Sequence, residues 1–304
     1  MMPHLWGIYR EQQHSPGREF DDAEILRLVA KHIEAAGYQV HLKTPEQLGV
    51  ADPCLKPAGT GDPSTGLRPD PLPSLVFLMC ERVETLRSLE PIEMQAIPHV
   101  NPLQAVLNTY RDRMIPLLAA SAIPIPRSQV ISSNSFNSDH PSPQLPTGSF
   151  PIWVKRADVH NTQSGDVELV SSSEDLRRVL VALYGRGISH VVLQQHIPGD
   201  LIKFYGIGKS LTGHRNDTWF KWFYHRDQDL ARYPFSEEAL QTVTQQAAST
   251  IGLEVYGGDA IITPTGEFFL IDINAWPSFA LFREEAAPQI ATWLLRRLRQ
   301  GALL

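Results

Sequence analysis

Gly258-Asp259-Ala260-Ile261-Ile262, a Thr-Pro-Thr-Gly turn at 263–266, and Phe268-Phe269-Leu270-Ile271-Asp272-Ile273-Asn274-Ala275-Trp276-Pro277 make up the stretch that decides how this chain is read. Two β-rich runs around a Pro/Gly turn read as an antiparallel hairpin. With Ile262 opposite Glu267, Asp259 faces Leu270. Side chains alternate with period two, so Leu270, Asp272 and Asn274 share one face. Asp259 then lies on that face too, diagonal to Asp272 at roughly 7–8 Å. Three oxygen donors on one face, two of them anionic, suit a hard cation such as Mg²⁺, which keeps water and phosphate oxygens as further ligands. Incidental acids on a solvated hairpin are the alternative, but the flanking residues are too apolar for an exposed ribbon.

At 304 residues the chain has room for two or three domains with substantial cores. A net charge of −6 argues against a nucleic-acid backbone as partner. The cluster Arg296, Arg297 and Arg299 reads instead as the charged end of a final helix, where cations oppose the helix dipole. Cys54 and Cys80 are not spaced as a metal pair and indicate no disulfide framework. No apolar run approaches membrane-spanning length, and the N-terminus lacks a signal-peptide pattern. The expectation is a protein of the reducing cytoplasm with no membrane partner.

Around the hairpin, the chain divides by its punctuation. His4–Tyr9 reads as a strand. A helix follows, capped by Asp21 or Asp22, striped by Ile25, Leu28, Val29, Ile33 and Ala36, and stopped at Gly37. Tyr38–Leu42 and Leu75–Met79 are further strands, separated by a long loop at 51–74 rich in Pro, Gly and Asp. Strands alternating with helices predict a parallel α/β domain in the first hundred residues. Loops at the C-terminal ends of such strands hold ligands, which makes Arg10, His14 and Arg18 substrate-binding candidates beside an equal reading as surface residues. Asn101–Leu118 reads as one helix. Residues 132–149 form a Ser/Pro-rich insertion. Strands at Ile152–Lys155, Val167–Val170, Val191–Gln195 and Lys203–Ile207 surround a helix at about 174–184. Ser236 caps a later helix that Gly252 stops.

Lys155 ends an apolar strand just before a loop holding Asn161, Ser164 and Gly165, where an ammonium group can reach a phosphate. Taken alone, such a lysine reads more readily as one that snorkels from a strand edge. Gln194-Gln195-His196-Ile197 runs from a strand into a kinked connection whose backbone can read an adenine edge, with Asp200 placed to hold ribose hydroxyls. Lys203 leads a strand on which a cation can balance phosphate charge. The segment Leu211–Asp227 sets His214, Arg215, Lys221, His225 and Arg226 among five aromatic residues. That composition suits an anionic small-molecule substrate, with a plain amphipathic strand as the competing reading.

In this order, the pieces resemble the ATP-grasp superfamily over roughly residues 75–285. The resemblance rests on Asn101 through Arg113, Ala122-Ile123-Pro124-Ile125-Pro126, Val154-Lys155, Gln194-Gln195-His196-Ile197, Gly258-Asp259 and Asp272-Ile273-Asn274. It implies an ATP-grasp fold, α/β and α+β, preceded by a Rossmann-like parallel α/β domain. The implied division is 1–100, then 101–193 with the 132–149 insertion, then 194–304. ATP is the implied nucleotide and Mg²⁺ the metal, with Mn²⁺ as a substitute. Arg113, Lys155, Gln194, Gln195, His196, Ile197 and Asp200 would bind nucleotide, and Asp259, Asp272 and Asn274 the metal. Lys203 and Arg215 are the candidate catalytic cations. Arg113 stands where the family often carries lysine, Asp272 where it often carries glutamate, and the loop after Lys155 has only Gly165 where many relatives are glycine-rich. Asp-Ile-Asn together with Lys203-Phe204-Tyr205-Gly206-Ile207-Gly208 looks closest to the inositol polyphosphate kinase branch, whereas the first domain reads like that of the carboxylate ligases.

Most such enzymes phosphorylate a carboxylate and let an amine or thiol displace the phosphate. This chemistry needs in-line positioning and charge neutralisation more than a protein nucleophile. The chain has no evident Ser/His/Asp array, in agreement. A kinase would place an alcohol at the same γ-phosphate, but a highly charged inositol phosphate favours a more basic protein. The reading is therefore a ligase, with a small-molecule kinase as the alternative and a catalytically inactive nucleotide-binding protein last. Analogy with relatives allows a homodimer.

Overall fold

The first strand, β1 (His4–Ile8), is buried at every position, as a central parallel strand covered on both faces must be. The computed structural model describes residues 3–14, 17, 19–48, 72–135, 148–158, 163–208 and 218–301. After β1 come α1 (Glu19–Ala35), β2 (Gln39–Lys43), β3 (Leu75–Leu78), α2 (Val83–Glu93) and β4 (His99–Val100). The four strands form a parallel sheet in the order β2-β1-β3-β4. Helix α1 starts at Glu19, so Asp21 and Asp22 sit in its first turn instead of capping it; their charge still favours that end of the dipole.

Two short helices follow, α3 (Leu103–Leu107) and α4 (Arg111–Ala120), where one had been expected. The break has a local cause. Tyr110 is extended at φ −63° and ψ 133°, Thr109 Oγ1 donates to Val106 O at 2.7 Å, and Asn108 Nδ2 donates away to Ile251 O at 3.0 Å. Next come β5 (Ser128–Ser132), β6 (Ile152–Arg156), β7 (Val167–Val170), α5 (Ser173–Gly185) and β8 (His190–Gln195), forming an antiparallel sheet in the order β5-β8-β6-β7. A third sheet, β10-β9-β11-β12, is built from β9 (Asp200–Ile207), β10 (Trp219–Tyr224), β11 (Val255–Ile262) and β12 (Phe268–Ala275). It carries α6 (Glu237–Ile251), and the chain continues into α7 (Arg283–Gly301). Ser236 Oγ accepts from Ala239 N at the start of α6, and Gly252 closes it in the left-handed region at φ 99°.

The three-way division at 100 and 193 does not match the cores. Trp6, Ile8, Val76 and Leu78 of the parallel sheet share one core with Phe204, Ala260 and Ile273 of the third sheet. Leu5, Ile25, Val29 and Phe77 share another with Trp276, Ile290 and Leu294. Only the middle sheet and α5 enclose a core of their own. A cut at 193/194 also runs through β8. Of the long loop and the insertion, residues 49–71 and 136–147 lie outside the described residues.

Asn101 ties the parallel sheet's exit to the third sheet. Fully buried, it donates from Nδ2 to Val255 O at 2.7 Å, and its Oδ1 accepts from Glu254 N at 2.6 Å and Val255 N at 2.9 Å. Truncating it strands the N–H groups of Glu254 and Val255 away from water, while Val255 O keeps Trp276 N at 3.0 Å. Asn101→Ala is expected to lower the unfolding free energy by about 3 kcal/mol, read from the urea midpoint at unchanged m-value.

Candidate active site

The β11–β12 hairpin does not keep the register expected from its turn. Ile262 pairs with Phe268, Ile261 with Phe269 and Ala260 with Leu270, but Asp259 pairs with Asp272. Ile271 is the extra residue of a bulge between those last two pairs. Asp259 thus sits directly opposite Asp272 and not diagonal to it. The bulge also separates Leu270 from Asp272: Leu270, Ile273 and Ala275 join the core, while Ile271 and Asp272 both line a cavity. Gly258 is required beside this pair, since a Cβ there would lie 2.2 Å from Asp272 O.

Both carboxylates are held by cations from other elements. Lys203 on β9, Asp259's neighbour across the ladder, donates to Asp259 Oδ1 at 2.7 Å. Arg111, at the start of α4, donates to Asp272 Oδ2 at 2.7 Å and from its other terminal nitrogen to Arg156 O at 3.1 Å. The Arg111–Asp272 pair is nearly sealed from water, the Lys203–Asp259 pair about a quarter exposed. Asn274 follows on the same face, its Oδ1 buried without a hydrogen-bond partner. That orphaned oxygen beside two carboxylates fits a hard divalent cation. Among the described residues no three His, Cys, Asp or Glu side chains gather, so the third protein donor would have to be this amide.

A cavity of about 220 Å³ separates this hairpin from β6 and β8 of the middle sheet. Lys155 enters it from β6 and donates to Gln194 Oε1 at 2.6 Å; Gln194 Nε2 is anchored on Ser128 Oγ at 3.1 Å. Burial lowers the Lys155 pKa to about 8, aided by the nearby Arg111 charge and opposed by Asp272 and Asp259. Trp153, Val167, Leu201, Ile261 and Ile271 supply apolar wall, and Gln195 and Ile197 complete the rim. The loop after β6 is pinned at its base, where Arg156 and Arg186 both pair with the buried Asp166. Asn161, on that loop, lies outside the described residues.

Lys155, Gln194, Gln195, Ile197, Asp259 and Asp272 therefore come together, with Lys203 and Asn274 beside them. The His196 side chain does not line the cavity; its Nδ1 accepts from Trp153 Nε1 at 3.2 Å. Arg113 is exposed on α4 and does not reach the cavity, and Arg111 takes the position instead. Helical phase carries the signal: Arg111 falls in line with Met114, Ile115 and Leu118 of the buried stripe, and Arg113 falls outside it. Asp200 holds no ribose position, because its buried carboxylate accepts from Ala231 N at 2.9 Å and Tyr233 N at 3.0 Å. Arg215, His214 and Arg18 lie outside the described residues. Arg10 is enclosed by Glu81 (2.6 Å) and Asp22 (3.0 Å) and donates to Trp276 O at 2.8 Å, while His14 Nδ1 lies 2.8 Å from Glu81. Arg10 clamps the first sheet's loops to the residue after β12, and His14 joins two of those loops.

No protein-family model and no curated protein matches the chain. Solved structures do. A D-alanine–D-alanine ligase from Coxiella burnetii matches at TM-score 0.69 and 14% identity, over 99% of this chain and 97% of that one. D-alanyl-alanine synthetase A from Vibrio cholerae gives TM-score 0.72 at 12% identity over 100% and 99%. The D-alanine–D-alanine ligase from Bacillus anthracis complexed with ATP gives 0.66 at 11% over 98% of both chains. The chain shares the fold of these ligases.

The lysine and the aspartate yield separate tests. The unfolded Lys155 keeps the ordinary 10.5, so between about pH 8 and 10.5 the unfolded chain binds the extra proton and stability rises with pH. Its charge in the folded protein is lost as pH rises through about 8. ATP affinity, followed by calorimetry, is expected to fall as pH rises through about 8 in the wild type and to stay level in Lys155→Arg. Asp200→Ala should cost about 2 kcal/mol of stability while leaving the ATP dissociation constant of the folded protein unchanged; a large loss of affinity would return Asp200 to the nucleotide.

Proposed function

We propose that this chain is an ATP- and Mg²⁺-dependent ligase that activates a carboxylate as an acyl phosphate and lets an amine displace the phosphate, with a thiol as the other acceptor class. The observation that carries the reading is the cavity in which Lys155 and Arg111 from one side meet the Asp259–Asp272 pair from the other. Buried cations of this kind bind phosphate through charge-assisted hydrogen bonds. The apolar walls and the backbone at 195–197 suit a purine base with one hydrogen-bonding edge. Asp259, Asp272 and Asn274 would hold Mg²⁺, which when bound neutralises phosphate charge.

The chain's own work is positional. Gln194 fixes the Lys155 ammonium, and Arg156 O fixes the Arg111 guanidinium, so both cations are oriented before any phosphate arrives. Acyl transfer of this type asks for in-line placement and charge neutralisation, which such a set supplies without a protein nucleophile. The ligases that share the fold support carbon–nitrogen bond formation, and nothing among them supports a kinase. Their named substrate, D-alanine, is the first acid to try.

The test uses Mg²⁺, γ-phosphate-labelled ATP and either D-alanine or a pooled metabolite extract, with Lys155→Ala as blank. Label released as phosphate together with a condensed product is the expected result. Label retained on an organic molecule stable to hydroxylamine would make the protein a kinase. Asp272→Asn, which keeps a hydrogen-bond acceptor for Arg111, is expected to lower turnover roughly hundredfold while the folded state persists in circular dichroism.

A further inference from the structure

The two charged members of the metal donor set are each capped by a cation, while the neutral member, Asn274 Oδ1, has no hydrogen-bond partner. We propose that Arg111 and Lys203 are resident counterions of Asp272 and Asp259 that pass to nucleotide phosphate as the divalent cation arrives, so that the protein excludes that cation by itself and admits it only together with nucleotide. This inference rests on the ATP reading above.

Charge balance is the first argument. Among the described residues, Arg111, Lys155 and Lys203 face only Asp259 and Asp272 around the cavity, so that set is already slightly positive. A divalent cation alone would deepen that excess; a polyphosphate alone is drawn in by it; the two together nearly cancel. Geometry is the second. A hard cation needs carboxylate oxygens at about 2.0–2.1 Å, in the region that the two side chains hold from 2.7 Å. Like charges cannot share that space in a partly buried site unless something removes the side chains. Phosphate can do so, because guanidinium and ammonium groups bond phosphate oxygens as strongly as carboxylates. Arg111 is also tethered to Arg156 O, the residue after Lys155, which keeps it on the side of the cavity where phosphate would meet both cations. Release of one carboxylate and capture of one phosphate then become a single exchange.

The coupling is thermodynamic, so nucleotide raises metal affinity by the factor by which metal raises nucleotide affinity. The probe is Mn²⁺, whose free form is read by electron paramagnetic resonance, with β,γ-methylene-ATP as a nucleotide that cannot react. Titrations of Mn²⁺ with the analogue alone supply the reference. The wild type is expected to leave the Mn²⁺ signal unchanged without nucleotide and to take up Mn²⁺ with the analogue. Lys203→Met, which frees the more exposed carboxylate, is expected to bind Mn²⁺ alone at least about tenfold more tightly than the wild type. It should also bind the metal-free analogue roughly tenfold more weakly. Arg111→Gln should shift both values the same way; its melting curve shows whether the buried Asp272 still tolerates the change, and Lys203→Met stands whether or not it does. Wild-type protein that takes up Mn²⁺ alone as tightly as Lys203→Met overturns the inference, as does unchanged metal-free affinity for the analogue in Lys203→Met. If the wild type binds no analogue at any Mn²⁺ level, the nucleotide reading itself falls and takes this inference with it.

Discussion

Ile271 has no partner across the β11–β12 ladder, and the cavity depends on that irregularity. A regular hairpin forces every second residue to one face. Leu270 and Asp272 would then point the same way, which would bury an acid in the core or turn a leucine into the cavity. The extra residue shifts the phase between them. Leu270 and Ile273 keep the core that α6 covers, and Asp272 comes level with Asp259 on the other side. Core packing and site chemistry make opposite demands on one strand, and the bulge satisfies both.

The acids so placed create the next requirement. A carboxylate as enclosed as that of Asp272 is costly unless a cation and hydrogen bonds meet it. Arg111 meets it from a helix that begins there only because the chain breaks at 108–110. Lys203 meets Asp259 from the central strand of the third sheet. Elements from both antiparallel sheets and the connecting helices are thereby locked around one small volume. Such pairs add little net stability compared with apolar packing, but they specify orientation, which is what a phosphate site needs.

Much of the architecture could be read in the sequence because its signals are local. Ser236 and Gly252 bound their helix through neighbours within four residues, and Lys155 lies on its strand as the apolar run predicts, one residue before the end. The fold shared with the ligases followed from the order of such pieces. What escaped depends on partners far away in the chain. A bulge is set by what both faces of the hairpin pack against, so turn spacing could not reveal it. Asp200 has the composition of a ligand-holding acid, but the backbone of 231–233 claims it. Arg10 and His14 sit where ligands commonly bind, yet Glu81, 71 and 67 positions away, occupies them. Arg111 is the exception, legible from helical phase, whereas Arg113 is what the family resemblance alone points to.

Helix α7 lies against α1, with Arg283 bonded to Asp21 at 2.6 Å, and its Ile290, Leu294 and Leu298 fill the same core as Leu5, Ile25 and Phe77. The parallel sheet is made before α7, and Asp21 meets Arg283 only 262 positions later. Until that helix emerges, α1 is the only one of the two helices packed on that face of the sheet, and its core is incomplete. Part of an apolar face therefore waits for the last described helix, the kind of exposure in a growing chain that chaperones answer.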